Sequence, residues 1–366
     1  MRLHLPATLS RFAPRRSERG RRRTGLVASA IALGVVVAVT TAAPVGSVER
    51  PTSRQLSDIR MQASEALVAH TLSDLPDPAA VMSSTGPIAY GTNTAHEGRW
   101  LNVPAVRRAD GTTQVIDALP TVHSWSVVGF VWAPSVWHVV DEAAGIDHWV
   151  MYVTTHHLES GRQCVGVATS SDPFSAFTPI GDEPLVCQYD LGGTIDASPY
   201  VAPDGSLHLL YKNDGNCCGM STTVFSHQLD PSGTELVGEP TSLLTGKWNW
   251  EGGLIEGPSM LVTDDEMFLF YSANKWDSDS YAIGMATCDG PTGPCERVGS
   301  GPWMASVGDM AGPGGQEFLR TRSGAPVMVF HAWTPGEVGY DGGGARQMHV
   351  HRLEFEDGVP LAPTAA

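Results

Sequence analysis

A short apolar segment ending in an aromatic residue recurs through the chain at a nearly constant interval. The five copies are "GPIAY", "HWVMY", "LHLLY", "MFLFY" and "PVMVF", which end at Tyr90, Tyr152, Tyr211, Tyr271 and Phe330. Their separations are 62, 59, 60 and 59 residues. A fixed period indicates stacked units that bury their apolar faces against one another, so this interval restricts the fold more than any other feature.

Each repeat is filled by strand-length segments bounded by Gly, Pro, Asp and Ser. Five such β units predict an all-β chain folded as a five-bladed β-propeller, a single domain over residues 73–366. The rival is a two-sheet sandwich, which does not require a fixed period. The segment Arg54–Leu72 is the exception, and we interpret residues 44–72 as an N-terminal extension or linker, helical or disordered.

Residues 1–43 have the order of a secretory signal peptide. An Arg-rich stretch precedes the apolar run "LVASAIALGVVVAV" and the small residues "TTAAP", with cleavage expected after "TAA". An uncleaved anchor is the alternative, although the 14-residue run is shorter than the roughly 20 apolar residues of a membrane helix. We therefore expect a secreted, extracellular protein.

The exported part of the chain is strongly acidic. Residues 51–366 contain 14 basic and 37 acidic residues, a net charge of −23. Nucleic acids and anionic membranes both require basic surfaces, so neither is expected as a partner after signal cleavage. An uncharged ligand fits better, and we expect a monomer.

All six cysteines follow the signal segment, and an even number in an exported chain favours disulfide bonds. Cys288 with Cys295 is the first expected pair, across the turn "CDGPTGPC", and Cys164 with Cys187 is the second. Adjacent Cys217 and Cys218 can pair with each other only through a strained ring, so their pairing stays open. The spacings contain no CxxC pair, which argues against structural zinc.

Acidic residues precede the aromatic landmarks in several units. Asp77 lies 13 residues before Tyr90, Asp196 lies 15 before Tyr211, and Glu256 lies 15 before Tyr271. Because the innermost strands of a propeller surround one channel, similar positions in different blades are expected to converge. The fifth unit has Glu317, 13 residues before Phe330, whereas the second has "WAPSV" and no acid.

A single acid in an Asp–Pro or Glu–Gly turn is usually structural. Three converging acids are different, because like charges are expensive to bury together and are typical of functional sites. Two carboxyl groups on either side of a sugar linkage hydrolyse it, one as proton donor and one as base or nucleophile, and this chemistry requires no cofactor.

The ordered motifs "PDPAAV", "WAPSV", "IDASPYVAPDGSLHLLYK", "EGPSMLV…MFLFYSAN" and "GPGGQEF…VFHA" resemble glycoside hydrolase family 43 over about residues 73–356. The resemblance implies a five-bladed propeller that hydrolyses α-L-arabinofuranosyl or β-D-xylosyl linkages of oligo- and polysaccharides with inversion. It also implies that Asp77 is the general base, Glu256 the general acid, and Asp196 the residue that tunes and orients the acid.

The resemblance also suggests where substrate binds. Trp132 is the expected pocket wall with Trp125 behind it, Arg346 is the counterpart of a fifth-blade arginine on the pocket floor, and His331 is assigned to the core or the site. Many family members have a histidine facing a channel cation, and here Gly315 and Gln316 take its place, which argues against bound calcium.

Two other classes of function compete with this interpretation. A carbohydrate-binding propeller without turnover would not need a protonated glutamate. A retaining fructan-type hydrolase would carry an Asn–Asp–Pro motif near the first blade, and the sequence has none there. The sequence does not separate arabinose, xylose and galactose, or endo from exo cleavage.

Overall fold

The computed structural model describes residues 72–264, 266–321 and 324–363. The expected signal peptide, and residues 44–71 of the expected extension, lie outside the described residues. Within the described part, no helix is long and apolar enough to cross a membrane.

Five sheets of three or four strands follow one another along the described residues, and we number them as blades one to five. Blade one contains β1 (Ala79–Ser83), β2 (Gly86–Tyr90), β5 (Pro104–Ala109) and β6 (Thr112–Asp117), and its β2–β5 connection carries the hairpin of β3 (Thr94–His96) and β4 (Arg99–Leu101). Blade two contains β7 (Ser126–Asp141), β8 (Ile146–His157), β9 (Gln163–Ser170) and β10 (Thr178–Ile180).

The later blades repeat the same antiparallel order. Blade three contains β11 (Thr194–Val201), β12 (Leu207–Asn213), β13 (Thr223–Leu229) and β14 (Leu236–Thr245). Blade four contains β15 (Ile255–Val262), β16 (Met267–Ala273), β17 (Ala282–Cys288) and β18 (Cys295–Arg297). Blade five contains β19 (Ala311–Arg320), β20 (Pro326–Trp333) and β21 (Gln347–Arg352).

Short elements complete the described chain. The hairpin of β22 (Phe355–Glu356) and β23 (Val359–Pro360) follows blade five. Three 3₁₀ helices lie in connections, at Tyr189–Leu191, Gly215–Cys218 and Tyr340–Gly342.

The first strand of each blade contacts the first strand of the next, in the order β1, β7, β11, β15, β19 and back to β1. These inner strands surround the channel, and the ring closes between blades five and one. The backbone N–H of Leu75, just before β1, donates to the carbonyl oxygen of Arg346, just before β21, at 2.9 Å. The predicted five-bladed propeller is thus confirmed, and the sandwich alternative is wrong.

Each aromatic landmark of the repeat lies inside the second strand of a blade or is its last residue, and all five side chains are buried. Among the described residues, buried apolar side chains form five clusters, and each joins two neighbouring blades. Representative pairs are Tyr90 with Met151, Tyr152 with Tyr211, Leu210 with Tyr271, Phe270 with Phe330, and Val329 with Ala89. The core therefore lies between blades, which explains why the repeat period is so regular.

The structure contains three disulfide bonds and no free cysteine. Cys288 pairs with Cys295 across adjacent strands of blade four, and Cys164 pairs with Cys187, as the sequence predicts. Adjacent Cys217 and Cys218 also pair with each other.

Candidate active site

Every inner strand, or the segment leading into it, carries a residue with a positive φ angle beside the cavity. The five residues are Asp77, Ala133, Asp196, Gly257 and Gly315, with φ between 42° and 61°. In blades two to five, the pairing with the second strand shifts register at the same place. A left-handed backbone is unfavourable for residues other than glycine and is concentrated at functional sites. All five residues line one cavity.

This bend corrects the expected equivalence of the three acids. Asp77 and Asp196 occupy the left-handed position itself, whereas Glu256 lies one residue before it, at the place that Trp132 has in blade two. The landmark counts missed this difference because the connections between first and second strands vary in length. Glu256 consequently enters the cavity from a different backbone position than the two aspartates.

The cavity has a volume of about 750 Å³, within the usual range for sites that bind small molecules. Asp77, Asp196 and Glu256 all line it, together with Trp132 and Arg346. The structure therefore brings five of the seven predicted site residues to one place.

Asp77 is held by groups from blades one and five, and blade two supports one of them. Nη1 of Arg346 donates to its two carboxyl oxygens at 3.2 and 3.3 Å, and Thr92 Oγ1 donates to Oδ2 at 2.7 Å. Thr92 Oγ1 in turn accepts from the N–H of Ala133 at 2.9 Å. Burial alone would raise the pKa of Asp77, but the positive charge of Arg346 and these hydrogen bonds outweigh it and lower the pKa below its usual value. Asp77 is ionised at neutral pH.

His331 supports Asp77 from beneath and is fully buried. Its Nδ1 accepts a hydrogen bond from the backbone N–H of Asp77 at 3.1 Å, so this nitrogen carries no proton. Burial, and then the nearby charge of Arg346, lower the pKa of His331 to about 3, and the ring is neutral. The 3.4 Å approach of Nδ1 to Asp77 Oδ1 is therefore not an ion pair. His331 positions Asp77 and is not among the residues that line the cavity.

Asp196 and Glu256 form the second acidic group. Asp196 Oδ2 accepts a hydrogen bond from the N–H of Gly257 at 2.8 Å, which ties it to the residue that follows Glu256. Burial, and then repulsion by the Glu256 carboxylate, raise the pKa of Asp196 to about 7, against the opposing charge of Lys212. Two carboxyl groups this strongly coupled retain a proton at a pH where an isolated aspartate would have lost it.

Both oxygens of Glu256 have a partner inside the protein. The hydroxyl of Tyr281 donates to Oε1 at 2.9 Å, and Nζ of Lys212 lies 3.4 Å from Oε2. Glu256 is 8 % exposed, whereas Lys212 is completely buried. Burial, and then the negative charge of Glu256, raise the pKa of Tyr281 well above its usual value, so the phenol keeps its proton and remains a donor.

Sequence reasoning missed Tyr281 and Lys212. Lys212 had a detectable signal, because it is a charged residue at the end of the apolar run "LHLLYK" in a strand otherwise suited to burial. Tyr281 had none, since its position depends on the connection between β16 and β17. Two cavity-lining tryptophans were also missed: Trp100 on the β3–β4 hairpin, and Trp276, whose ring lies 4.7 Å from the Arg346 guanidinium carbon.

Trp125 has a different role from the one predicted. Its ring packs between His123 and His157, at centroid distances of 4.9 and 5.7 Å, and it is not among the described residues that line the cavity. The segment Val127–Phe130 separates it from the bend at Ala133, so nearness to Trp132 in sequence did not bring it to the site. Trp125 is a packing residue.

Glu317, the acid of the fifth unit, also lines the cavity. It also lines a second, mainly apolar cavity formed by inner-strand residues such as Val81, Val136 and Leu261, so it lies along the channel between the two. Burial raises the pKa of Glu317 to about 7.

The position of the family's cation-facing histidine does not fit a metal here. Gly315 has no side chain, and Gln316 is fully engaged: its amide nitrogen donates to Gly257 O at 2.6 Å, and its oxygen accepts from Ser272 Oγ at 2.9 Å. Within residues 72–264, 266–321 and 324–363, no group of three or more His, Cys, Asp or Glu side chains could hold a metal ion.

A five-bladed propeller whose bent inner strands bring acids and aromatic side chains to one cavity has the architecture of a propeller glycosidase. The family model "Glycosyl hydrolases family 43" matches residues 74–360. The chain belongs to glycoside hydrolase family 43, as the sequence motifs predict.

Several individual proteins are similar to this chain. Beta-D-galactofuranosidase xynD of Aspergillus niger is 28 % identical over 46 % of this chain and 47 % of its own length, so the match spans about half of that protein. A probable arabinan endo-1,5-alpha-L-arabinosidase A of Neosartorya fischeri is 24 % identical over 76 % of this chain and 84 % of its own. The crystal structure of a thermostable family-43 glycoside hydrolase superposes with a TM-score of 0.66 at 21 % identity, covering 80 % and 94 % of the two chains.

Proposed function

We propose that this protein is a secreted, inverting glycoside hydrolase that cleaves α-L-arabinofuranosyl or β-D-xylosyl linkages in arabinan, arabinoxylan or similar plant cell-wall polysaccharides. The observation that carries the proposal is the contrast between Asp77, which is ionised, and Asp196, which retains a proton beside Glu256. Hydrolysis with inversion requires one carboxylate and one carboxylic acid at the same bond.

Asp77 acts as the general base. Arg346 and Thr92 keep it ionised and hold both of its oxygens in place. Glu256 acts as the general acid, with Tyr281 and Lys212 fixing its orientation. Asp196 positions the acid by accepting a hydrogen bond from the backbone N–H of Gly257, the residue that follows Glu256.

The reaction is then a single displacement. Asp77 takes a proton from a water molecule as the water oxygen forms a bond to the anomeric carbon. Glu256 gives its proton to the glycosidic oxygen as the bond from the anomeric carbon to that oxygen breaks. The products are a sugar of inverted anomeric configuration and a free hydroxyl on the leaving group, and no cofactor or metal takes part.

The cavity suits a neutral sugar. Trp132, Trp100 and Trp276 provide apolar ring faces on which the C–H face of a sugar can pack, as apolar groups do on aromatic rings. The similarity to a protein named as an arabinan endo-1,5-alpha-L-arabinosidase supports arabinan as the first substrate to test. The similarity to one named as a galactofuranosidase adds galactofuranosides to that test.

Secretion is supported by the Arg-rich and apolar N-terminal sequence and by three disulfide bonds, which are typical of oxidising compartments. We propose that the secreted protein works as a monomer.

The test is a screen of aryl arabinofuranosides, xylosides and galactofuranosides beside linear and branched arabinan, with the first-formed anomer followed by NMR. We expect release of reducing sugar of inverted configuration. Asp77→Asn and Glu256→Gln should each reduce the rate at least about 10²-fold, the lower range for acid–base groups. Full activity in either variant would contradict the assigned roles, and retained configuration would contradict inversion.

A further inference from the structure

The connection between β12 and β13 carries a disulfide bond at the edge of the cavity. Its 3₁₀ helix, Gly215–Cys218, contains the bridge between Cys217 and Cys218. Cys217 lines the cavity together with Asn216 and Asp214. Residues 211–215 are buried, whereas Asn216, Cys217 and Cys218 are exposed. The bridge therefore stands at the rim, where a ligand can reach it.

The loop that carries the bridge is well supported from behind. The N–H of Cys217 donates to the Asp214 carbonyl oxygen at 3.3 Å, and the N–H of Met220 donates to that of Gly215 at 2.9 Å. A Cβ at Gly192 would lie 2.4 Å from the Asp214 carbonyl oxygen and 3.3 Å from Cys217 Sγ, so this glycine lets the neighbouring turn pack against the loop.

Arg162 covers another side of the bridge. Its Nη1 lies 2.7 Å from Cys218 Sγ and 3.7 Å from Cys217 Sγ. Cys217 lines the cavity and Arg162 does not, so the guanidinium group contacts the bridge outside the cavity lining.

The same loop is connected to the proposed proton donor. Nζ of Lys212 donates to Asn216 Oδ1 at 2.5 Å and lies 3.4 Å from Glu256 Oε2. A general acid must contact the oxygen of the leaving group. The sugar that departs therefore lies on the Glu256 side of the cavity, next to the loop that carries the bridge.

The chemistry of the bridge suits a sugar face. Disulfide sulfur is polarisable and has no proton to donate, and sulfur packs favourably against apolar groups. The two side chains are joined to each other, so neither has rotamer freedom to lose when a ligand binds, which reduces the entropic penalty of the contact.

We propose that the Cys217–Cys218 disulfide forms an apolar wall of the subsite for the leaving-group sugar, in contact with the C–H face of that ring. The inference rests on the proposed function, because it takes Glu256 as the proton donor. It assigns part of the substrate selectivity to a covalent feature of blade three.

The test compares the wild type with a Cys217→Ser/Cys218→Ser double variant, which keeps the side-chain size and removes the bridge. The substrate is either 1,5-α-L-arabinotriose or 1,4-β-D-xylotriose, whichever of the two the wild type hydrolyses. We expect kcat/KM to fall about 10- to 50-fold, mainly through KM. The inhibition constant of the corresponding monosaccharide, which occupies the subsite of the cleaved sugar, should stay within about twofold.

A Cys288→Ser/Cys295→Ser double variant is the matched control, because it removes a disulfide whose residues do not line the cavity. It should leave KM for the trisaccharide unchanged. Thermal unfolding of both variants, followed by circular dichroism, shows that each is folded, and thiol titration of the denatured wild type should find no free thiol.

The outcomes separate the possible explanations. Unchanged kcat/KM in the Cys217→Ser/Cys218→Ser variant would overturn the subsite and leave the proposed function standing. The variant could instead shift the pH dependence of kcat/KM and change the inhibition constant of the monosaccharide. That result would overturn the subsite and indicate that the bridge holds Lys212 against Glu256. If the denatured wild type had two free thiols that this variant lacked, Cys217 and Cys218 would not be bridged, and the proposal would be overturned as well. A wild type that hydrolyses no glycoside would overturn the function, and the subsite with it.

Discussion

Asp196 is the residue whose pKa shows the effect of placing several acids in one cavity. Its pKa is raised to about 7, first by burial and then by the charge of Glu256. Unfolded chains release this proton near pH 4, whereas the folded protein keeps it until about pH 7. Stability contributed by Asp196 is therefore lost as the pH rises between these values, because the unfolded state binds fewer protons.

Asp196→Asn should make the protein more stable and less active. The amide oxygen can still accept the hydrogen bond from Gly257, while the buried charge is gone. At pH 8 we expect the free energy of unfolding to rise by about 1–3 kcal/mol, with no gain at pH 3, where aspartate is protonated in both states. We expect kcat/KM to fall about 10²-fold.

Urea unfolding at pH 3, 5 and 8 measures the first effect, and hydrolysis of arabinotriose the second. Equal free energies of unfolding for variant and wild type at pH 8 would show that burial and Glu256 do not destabilise the ionised form of Asp196.

Arg346 determines the acid side of the pH profile. Arg346→Met removes the charge that lowers the pKa of Asp77, so the general base becomes protonated at higher pH. We expect the acid limb of kcat/KM to move upward by about one to two pH units, the usual effect of an adjacent arginine on an aspartate. The measurement is kcat/KM between pH 3 and pH 8.

Arg352→Met, at the far end of β21 and outside the cavity lining, is the control for Arg346→Met and should not move the limb. An acid limb that stays in place in Arg346→Met would mean that Asp77 is not the base.

At the scale of elements, the site depends on the bend in each inner strand and on what packs behind it. Gly314, next to the bend in β19, faces the ring of Tyr281. A Cβ there would lie 2.0 Å from Tyr281 Cε1, a distance that no relaxation of the strand alone can accommodate. The absence of a side chain at this glycine is what lets Tyr281 reach Glu256.

Gly314→Ala should displace Tyr281 and break its hydrogen bond to Glu256. Hydrogen bonds to charged groups contribute about 1.5–3 kcal/mol, so kcat/KM should fall at least about tenfold. Overpacking should also reduce the free energy of unfolding by about 1–3 kcal/mol. Gly301→Ala, where an added Cβ meets no atom within 4 Å, is the control and should change neither quantity. Normal kinetics in Gly314→Ala would show that Tyr281 does not orient the acid.

At the scale of the whole molecule, the propeller is held by contacts between blades, and the seam between blades five and one closes the ring. Leu75 is completely buried in the cluster of that seam, with Ala89, Val329 and Met348. The start of blade one and the last strand of blade five meet there through the Leu75–Arg346 backbone hydrogen bond. Arg346 and Asp77 face each other across the same seam, so ring closure also assembles the base.

Leu75→Ala should reduce the free energy of unfolding by about 2–5 kcal/mol, the usual range for truncating a buried leucine. Leu158→Ala, at a leucine that is 67 % exposed, should change it by less than about 0.5 kcal/mol. Urea unfolding followed by tryptophan fluorescence measures both. A small effect at Leu75 would mean that the seam contributes little to closure.

The fold was predictable because the information is local and repeated. The second strand of each blade packs against a neighbouring blade, so a large aromatic residue recurs in that strand, as at Tyr211 and Tyr271. The acids were also found, since Asp77, Asp196 and Glu256 are charged residues beside strands that are otherwise apolar. Trp125 was expected behind Trp132, but its ring packs between His123 and His157 and it does not line the cavity.

A regular period and charged residues within apolar runs are visible along one chain, so the five-bladed ring and the acids Asp77, Asp196 and Glu256 could be predicted. Tertiary structure alone decided the one-residue offset of Glu256, the contacts of Tyr281 and Lys212 with it, and the position of the Cys217–Cys218 bridge at the rim. The physical reason is distance along the chain: the charge on Asp77 depends on Arg346, 269 residues away, and only closure of the ring brings the two together.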